Sequence, residues 1–337
     1  MKLATMRVAE PKDAWEQRDG KLVVVDDNAG RVAVVPDDVA RSMFEAIQEW
    51  DAIEPQLRSI DAQLKNGSWP EDQTLGMAGI DWMAPLPRST CWIDGSAYVQ
   101  HIVLVRKARG AEPPEDLREV PLMYQGAADP MLGPHEPIEV ESEDFGIDLE
   151  AEVGVILGDV PKACKAADAE QHIKLLVAMN DVSLRNLIPR ELKAGFGFFH
   201  GKPPSHFAPF AVTPDEIGEA WKDGRVHLKM ESWRNGNFHG DPDAGPEMYF
   251  GFHELIEHAA KTRPLPAGTV LGSGTVSNED TSRGASCIAE VRMLETIEKG
   301  APETPFLRFG ETVKIDVRQD GKSVFGPIEQ TVQPYKP

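Results

Sequence analysis

The sequence predicts a mainly β (α+β) protein with a β-roll or barrel-like body at 81–337 and a small N-terminal α+β domain at 1–80. Three observations carry this. Short β-branched and apolar runs recur through the second part of the 337-residue chain with Gly and Pro scattered between them. Amphipathic helical periods are few there and concentrate instead before residue 66. Composition changes along the stretch carrying Pro70, Pro85 and Pro87, which places a boundary near residue 80.

Two β-branched runs, 21–25 and 31–35, flank Asp26-Asp27-Asn28-Ala29-Gly30, a segment rich in turn formers, and read as a hairpin. From Asp38 onward Val39, Met43, Phe44, Ile47 and Trp50, then Ile53, Leu57, Ile60 and Leu64, keep a helical spacing, interrupted near Pro55 and closed by Asn66-Gly67. Beyond residue 80, strands are predicted at 100–105, 150–157, 226–230, 269–271, 286–293 and 312–317, and helices at 167–179 and 252–261.

Composition narrows the function. There are 55 acidic against 35 basic side chains, a formal charge of −20, which repels phosphate backbones and anionic membrane surfaces, so neither nucleic acid nor membrane is an expected partner. An anionic substrate would need a local metal or basic cluster to outweigh that field. Cys91, Cys164 and Cys287 are odd in number and widely spaced, which suggests neither a disulfide framework nor a Cys-x-x-Cys site. The opening Met-Lys-Leu-Ala-Thr-Met-Arg has no long apolar region with a cleavage site, and a spanning run of about 18 apolar residues is absent, so a cytoplasmic location is expected.

Five segments could carry chemistry. In Asp148-Leu-Glu150-Ala-Glu152-Val-Gly-Val-Ile-Leu-Gly158, residues two apart on a strand share a face, so Glu150 and Glu152, with Asp148 as a third, would set like charges together. A solvated edge strand accounts for that pattern; a buried strand, to which Val153, Val155 and Ile156 incline it, requires a cation. Asn180-Asp181-Val-Ser183-Leu-Arg185 follows an apolar run and reads either as a turn or as another ligand. Carboxylates converging from separate segments suit hard cations.

His101 opens the apolar run after Asp94 and is either a core histidine or, with an acid nearby, a base. The odd spacing of Asp94 and His101 requires a bend for both to reach one site. Lys202, in His200-Gly201-Lys202-Pro203-Pro204, lies in no phosphate loop and is a surface lysine unless it sits beside an acid cluster. Gly272-Ser-Gly274-Thr275 permits close backbone approach or a tight turn, and Glu290 lies in an alternating segment. Serine-hydrolase elbows and His-Glu-x-x-His helices are absent from the sequence.

In this order, these segments resemble the fumarylacetoacetate hydrolase family from about residue 80 to the C-terminus, and the opening resembles the N-terminal domain of its longer members. The resemblance implies a divalent cation, Mg²⁺ or else Ca²⁺ or Mn²⁺, held by Asp94, Glu150, Glu152 and Asp181. It implies His101 as general base, Glu290 as its orienting acid, Lys202 beside the metal, Tyr124, Thr275 and Ser96 at the substrate, and an arginine there that is Arg109 or Arg106. Ser96 stands where the family's hydrolases carry an aromatic residue, and Ile188 where a glutamine is expected near the leaving group.

The implied reaction is hydrolysis of a carbon–carbon bond in a 1,3-diketo acid such as fumarylacetoacetate, giving fumarate and acetoacetate in aromatic-compound catabolism. The implied assembly is a homodimer. Hydratases, decarboxylases and isomerases of related keto acids share the scaffold, and a keto-acid binding protein without turnover is a further alternative.

Overall fold

The computed structural model describes residues 1–108, 112 and 115–336, and Arg109 lies outside them. Among the described residues the largest sheet has 11 strands. Its order is Thr74–Gly76, Arg31–Val34, Lys21–Asp26, Lys2–Met6, Phe210–Val212, Ile173–Asn180, Ala151–Leu157, Thr269–Gly272, Cys91–Gly95 and Met123–Gln125, with His206–Phe207 pairing beside Ile173–Asn180. A second sheet of six is built around Lys229–Arg234, Thr312–Gln319 and Ile328–Pro334. Mixed sheets carrying eight α-helices among the described residues are the α+β architecture the sequence predicts.

The expected hairpin forms, with Val23 opposite Val34 and Asp26 opposite Arg31. The opening strands then join the body's own sheet, because Lys2–Met6 pairs antiparallel with Phe210–Val212. The stretch 77–90 contains no helix and no strand beyond the single bridge between Met6 and Trp82. Helix Trp50–Asn66 lays Ile53, Leu57, Ile60 and Leu64 into a core shared with Leu22, Val24, Ile156, Leu175 and Val270. Pro55 does not break it: the ring is exposed in the second turn, and the interruption falls at Glu49, between Met43–Gln48 and Trp50–Asn66. Gly67, at φ 79°, closes the helix in the left-handed conformation that Asn66-Gly67 predicts.

Three expected elements are corrected. The run 100–105 is not a strand; it belongs to helix Val99–Ala108, whose Val99 and Ile102 pack with Leu117. Its β-branched content favours a strand, but Val99, Ile102 and Leu104 are buried from a helix, and tertiary packing overrides the local preference. The segment 286–293 is likewise helix from Ile288, running to Lys299, with Ile288, Ala289 and Glu290 buried in its first turn. The backbone N–H groups of Ile288 and Ala289 donate to the Asp148 carboxylate at 2.7 and 2.9 Å, an N-terminal cap supplied from 140 residues away and hidden from local reading. The predicted helix 167–179 shortens to Ala166–Ala169, and the apolar run Leu175–Met179 becomes part of the central strand Ile173–Asn180. Being buried on both faces, that strand shows no alternation to mark it.

The strand expected at 226–230 is displaced, to Arg225–Val226 and Lys229–Arg234. No helix among the described residues is long and apolar enough to cross a membrane.

Candidate active site

Neighbouring strands of the large sheet deliver three acids to one point. Asp94 lies near the end of Cys91–Gly95 and pairs with Gly272 of the parallel strand Thr269–Gly272. Glu152 is the second residue of Ala151–Leu157, and its cross-strand partner Met179 lies just before Asn180-Asp181. Carboxylate oxygens of Asp94, Glu152 and Asp181 lie within 4.8 Å of one another, with all three residues buried. Glycine makes the convergence feasible. A Cβ on Gly272 would fall 2.5 Å from Asp94 Oδ1 and 3.0 Å from Glu152 Oε2. Gly274, at φ 79°, directs its N–H to Asp94 Oδ1 at 3.0 Å and Glu152 Oε2 at 3.1 Å.

These acids lack sufficient counter-charge. Glu152 Oε1 is buried with no hydrogen-bond partner. Burial, reinforced by the charge of Asp181, pushes the Asp94 carboxyl up to about 8, and burial with the charge of Asp94 pushes Glu152 well above the usual carboxylate range. An all-oxygen cluster with an orphaned acceptor fits a hard divalent cation.

Glu150 sits beside this trio and meets two cations. Its Oε1 accepts from the Arg185 guanidinium at 2.6 Å and its Oε2 from Lys202. Burial alone would raise its carboxyl, but Arg185, Lys202 and His101 hold it well below the usual range. Lys202 is only 7% exposed, not a surface lysine, and also donates to Asp181 Oδ2 at 2.5 Å. Its ammonium lies 5.2 Å from the centre of the Tyr124 ring, and the Tyr124 hydroxyl donates to the same Asp181 oxygen at 2.6 Å. The other oxygen of Asp181 accepts from Ser205 at 2.5 Å.

The bend between Asp94 and His101 is a strand-to-helix turn. His101, in the first turn of Val99–Ala108, comes within 4.8 Å of Glu290, in the first turn of Ile288–Lys299, and of Cys287, measured between donor atoms. His101 Nδ1 is buried without a partner, and burial pulls the imidazole down to about 4. Glu290 is pushed up to about 7 by burial, against a 2.5 Å hydrogen bond from the Ser277 hydroxyl.

Of the remaining expected residues, Thr275 is buried next to Gly274, and Ser96 is half-buried, its N–H donating to Leu122 at 2.9 Å. Arg106 is exposed on the last turn of its helix. Ile188 is buried and would lie 2.7 Å from a Cβ on Gly201. Several site residues escaped the sequence reading. Arg185 bridges Glu150 and Asp148, at 2.6 and 2.9 Å, and its place two residues after Ser183 was the only signal. Asp148, weighed as a third acid for a cation, instead caps helix Ile288–Lys299 and receives Arg185. Ser205, Ser277 and Cys287 gave no local signal.

Residues 90–333 match the family model for the fumarylacetoacetate (FAA) hydrolase C-terminal domain, and residues 1–88 match fumarylacetoacetase N-terminal domain 2. Mixed sheets carrying a buried acid cluster thus have a family: the chain belongs to the fumarylacetoacetate hydrolase family, whose members are enzymes. It is 25% identical over 283 residues to oxaloacetate tautomerase YisK of Bacillus subtilis, covering 82% of this chain and 83% of that one. To the mitochondrial oxaloacetate tautomerase fahd2 of Xenopus laevis it is 28% identical, covering 60% and 59% of the two chains.

Among solved structures, fumarylacetoacetate hydrolase from psychrophilic Exiguobacterium antarcticum superposes with a TM-score of 0.66 at 19% identity, over 99% of this chain and 100% of that one. Maleylpyruvate hydrolase from Sphingobium sp. SYK-6, solved with manganese(II) and pyruvate, gives a TM-score of 0.65 at 14% identity over the whole of both chains.

Proposed function

We propose that this protein is a divalent-metal-dependent hydrolase that cleaves a carbon–carbon bond in a short 1,3-diketo acid. The observation that carries this reading is the convergence of Asp94, Glu152 and Asp181 beside a His101–Glu290 pair. Hydrolysis needs both parts: a place for a hard cation to polarise a carbonyl, and a base to activate water.

A cation held by Asp94, Glu152 and Asp181 would supply Lewis acidity toward the substrate's keto and enolate oxygens. Binding order follows from charge. Asp94, Glu150, Glu152 and Asp181 outnumber Lys202 and Arg185, so the site repels an anionic acid until the cation is in place. Lys202 donates to both Glu150 and Asp181 and so offsets their mutual repulsion, and the Tyr124 hydroxyl fixes the same Asp181 oxygen.

His101 accepts a proton from water as the water oxygen bonds to the substrate carbonyl carbon. The carbon–carbon bond then breaks, its electron pair passing to the enolate, which takes up a proton and leaves as a ketone. Glu290, held by Ser277 and within 4.8 Å of a His101 ring nitrogen, would orient the imidazole. Burial keeps His101 neutral beforehand, as a base must be.

A second reading, keto–enol interconversion of a 2-keto dicarboxylic acid, draws support from the relatives named oxaloacetate tautomerases. It needs the same cation site and base but no attacking water, and apolar Ile188 offers no hydrogen bond to a departing enolate.

One experiment separates them: purified protein is given fumarylacetoacetate or shorter acylpyruvates, and in parallel enolic oxaloacetate, each with Mg²⁺ or Mn²⁺ and again with chelator. Metal-dependent loss of diketone absorbance with two carboxylic acid products supports the hydrolase. Acceleration of oxaloacetate ketonisation alone supports the tautomerase and overturns carbon–carbon hydrolysis.

A further inference from the structure

Beside the oxygen-lined trio lies a donor set of different chemistry. Cys287 immediately precedes helix Ile288–Lys299, and Glu290 follows three residues later, so thiol and carboxylate come to one side of the helix start. His101 reaches them from helix Val99–Ala108, and a nitrogen, a sulfur and an oxygen then lie within 4.8 Å of one another. Cys287 is fully buried and Glu290 is 4% exposed. His101 Nδ1 and the hydroxyl of Ser286, next to Cys287, are both buried without a hydrogen-bond partner among the described residues. Catalysis as read above uses the imidazole and the carboxylate and gives the thiol nothing to do.

We propose that His101, Cys287 and Glu290 form a second cation site, selective for a borderline-soft divalent ion such as Zn²⁺, whose occupation shuts the enzyme off. A nitrogen, thiolate and carboxylate set matches zinc and cobalt, which bind such donors with a fourth position open to water, and mismatches Mg²⁺ and Ca²⁺, which take oxygens. The trio of Asp94, Glu152 and Asp181 has the opposite preference, so the two donor sets sort hard from soft ions. Binding displaces the thiol proton to solvent and commits the imidazole lone pair to the ion, leaving no base for water. The inhibitory effect rests on the role of His101 given above; the binding itself does not.

The test therefore reads binding directly, with Co²⁺ as the probe, added to protein already holding excess Mg²⁺. Wild type is expected to develop the near-ultraviolet thiolate-to-cobalt charge-transfer absorption, Cys287→Ser to lack it, and Asp94→Asn to keep it. His101→Gln, which leaves the thiol intact, is expected to weaken cobalt binding by at least about tenfold, the cost attached even to losing an outer partner of a metal ligand. Zn²⁺ inhibition of whichever turnover the protein shows should weaken by at least as much in Cys287→Ser, relative to that variant's own uninhibited rate. Should Cys287→Ser fail to fold, Cys287→Ala and His101→Gln carry the same comparison. Absence of the absorption throughout a cobalt titration of wild type, or its persistence in Cys287→Ser, overturns the site. A wild-type protein that shows the cobalt band but turns over none of the tested acids with Mg²⁺ alone would instead count against the proposed reaction and leave the site standing.

Discussion

His101 and Glu152 have separable tasks, and single substitutions should separate them. His101→Ala is expected to lower turnover by roughly 10²–10⁴-fold, the usual worth of a positioned general base, while Mn²⁺ binding by calorimetry stays near wild type. Glu152→Gln should lose both, because it removes a charge from the oxygen cluster. Retained turnover in His101→Ala would sink the base assignment.

A second buried histidine adds to the pH dependence of stability. His206 is 2% exposed, and burial pulls its imidazole from an ordinary value near 6.5 to about 4. Above pH 6.5 neither the folded nor the unfolded form binds the proton, so the residue contributes no slope. Between 6.5 and 4 only the unfolded chain takes the proton up, and stability falls by about 3 kcal/mol across that window. Urea unfolding of wild type and His206→Gln at stepped pH checks this, the variant showing a shallower decline. An equal decline in both would refute it.

At the scale of elements, the site depends on how closely two strand ends approach. Gly272→Ala would place a methyl group 2.5 Å from Asp94 Oδ1 and 2.6 Å from the Trp92 ring, neither of which can withdraw without disturbing the parallel pairing of Cys91–Gly95 with Thr269–Gly272. Overpacking of this kind costs about 1–3 kcal/mol. The expected outcome is a folded protein with weakened Mn²⁺ affinity and a lowered unfolding midpoint; unchanged metal affinity would show that the acids need no such closeness.

The two helices that bring His101 and Glu290 together were the elements least legible in the sequence. Both segments read as strands locally, one from its β-branched run and the other from alternation around Glu290. Helix Ile288–Lys299 instead starts on a carboxylate, Asp148, supplied by a distant segment. A cap of that kind lies outside any local window, and the same holds for Arg185, which reaches both Asp148 and Glu150.

For the molecule as a whole, the buried acids make the folded state a metal-linked one. A cation that binds only the folded chain stabilises it by about 2.7 kcal/mol at a hundredfold excess over its Kd. For a chain of 337 residues that corresponds to a midpoint rise of about 4 °C. Thermal scans with Mn²⁺ and with chelator should show this difference in wild type and lose it in Asp94→Asn. A chelator-insensitive midpoint in wild type would argue against a cation among Asp94, Glu152 and Asp181.

By itself the sequence determined the β-rich architecture, the opening hairpin and helix, and the segments that carry the acids, because local turn chemistry, burial periodicity and ordered motifs carry those signals. Only the tertiary structure decided which acids face one another. Glu150 and Glu152 are two residues apart and alike in sequence, yet one meets Lys202 and Arg185 while the other keeps an oxygen unpaired. It also decided that Lys202 is buried and that Cys287 stands beside His101. Those outcomes depend on side chains brought together from segments far apart in the chain, and such distances leave no period, cap or spacing to read.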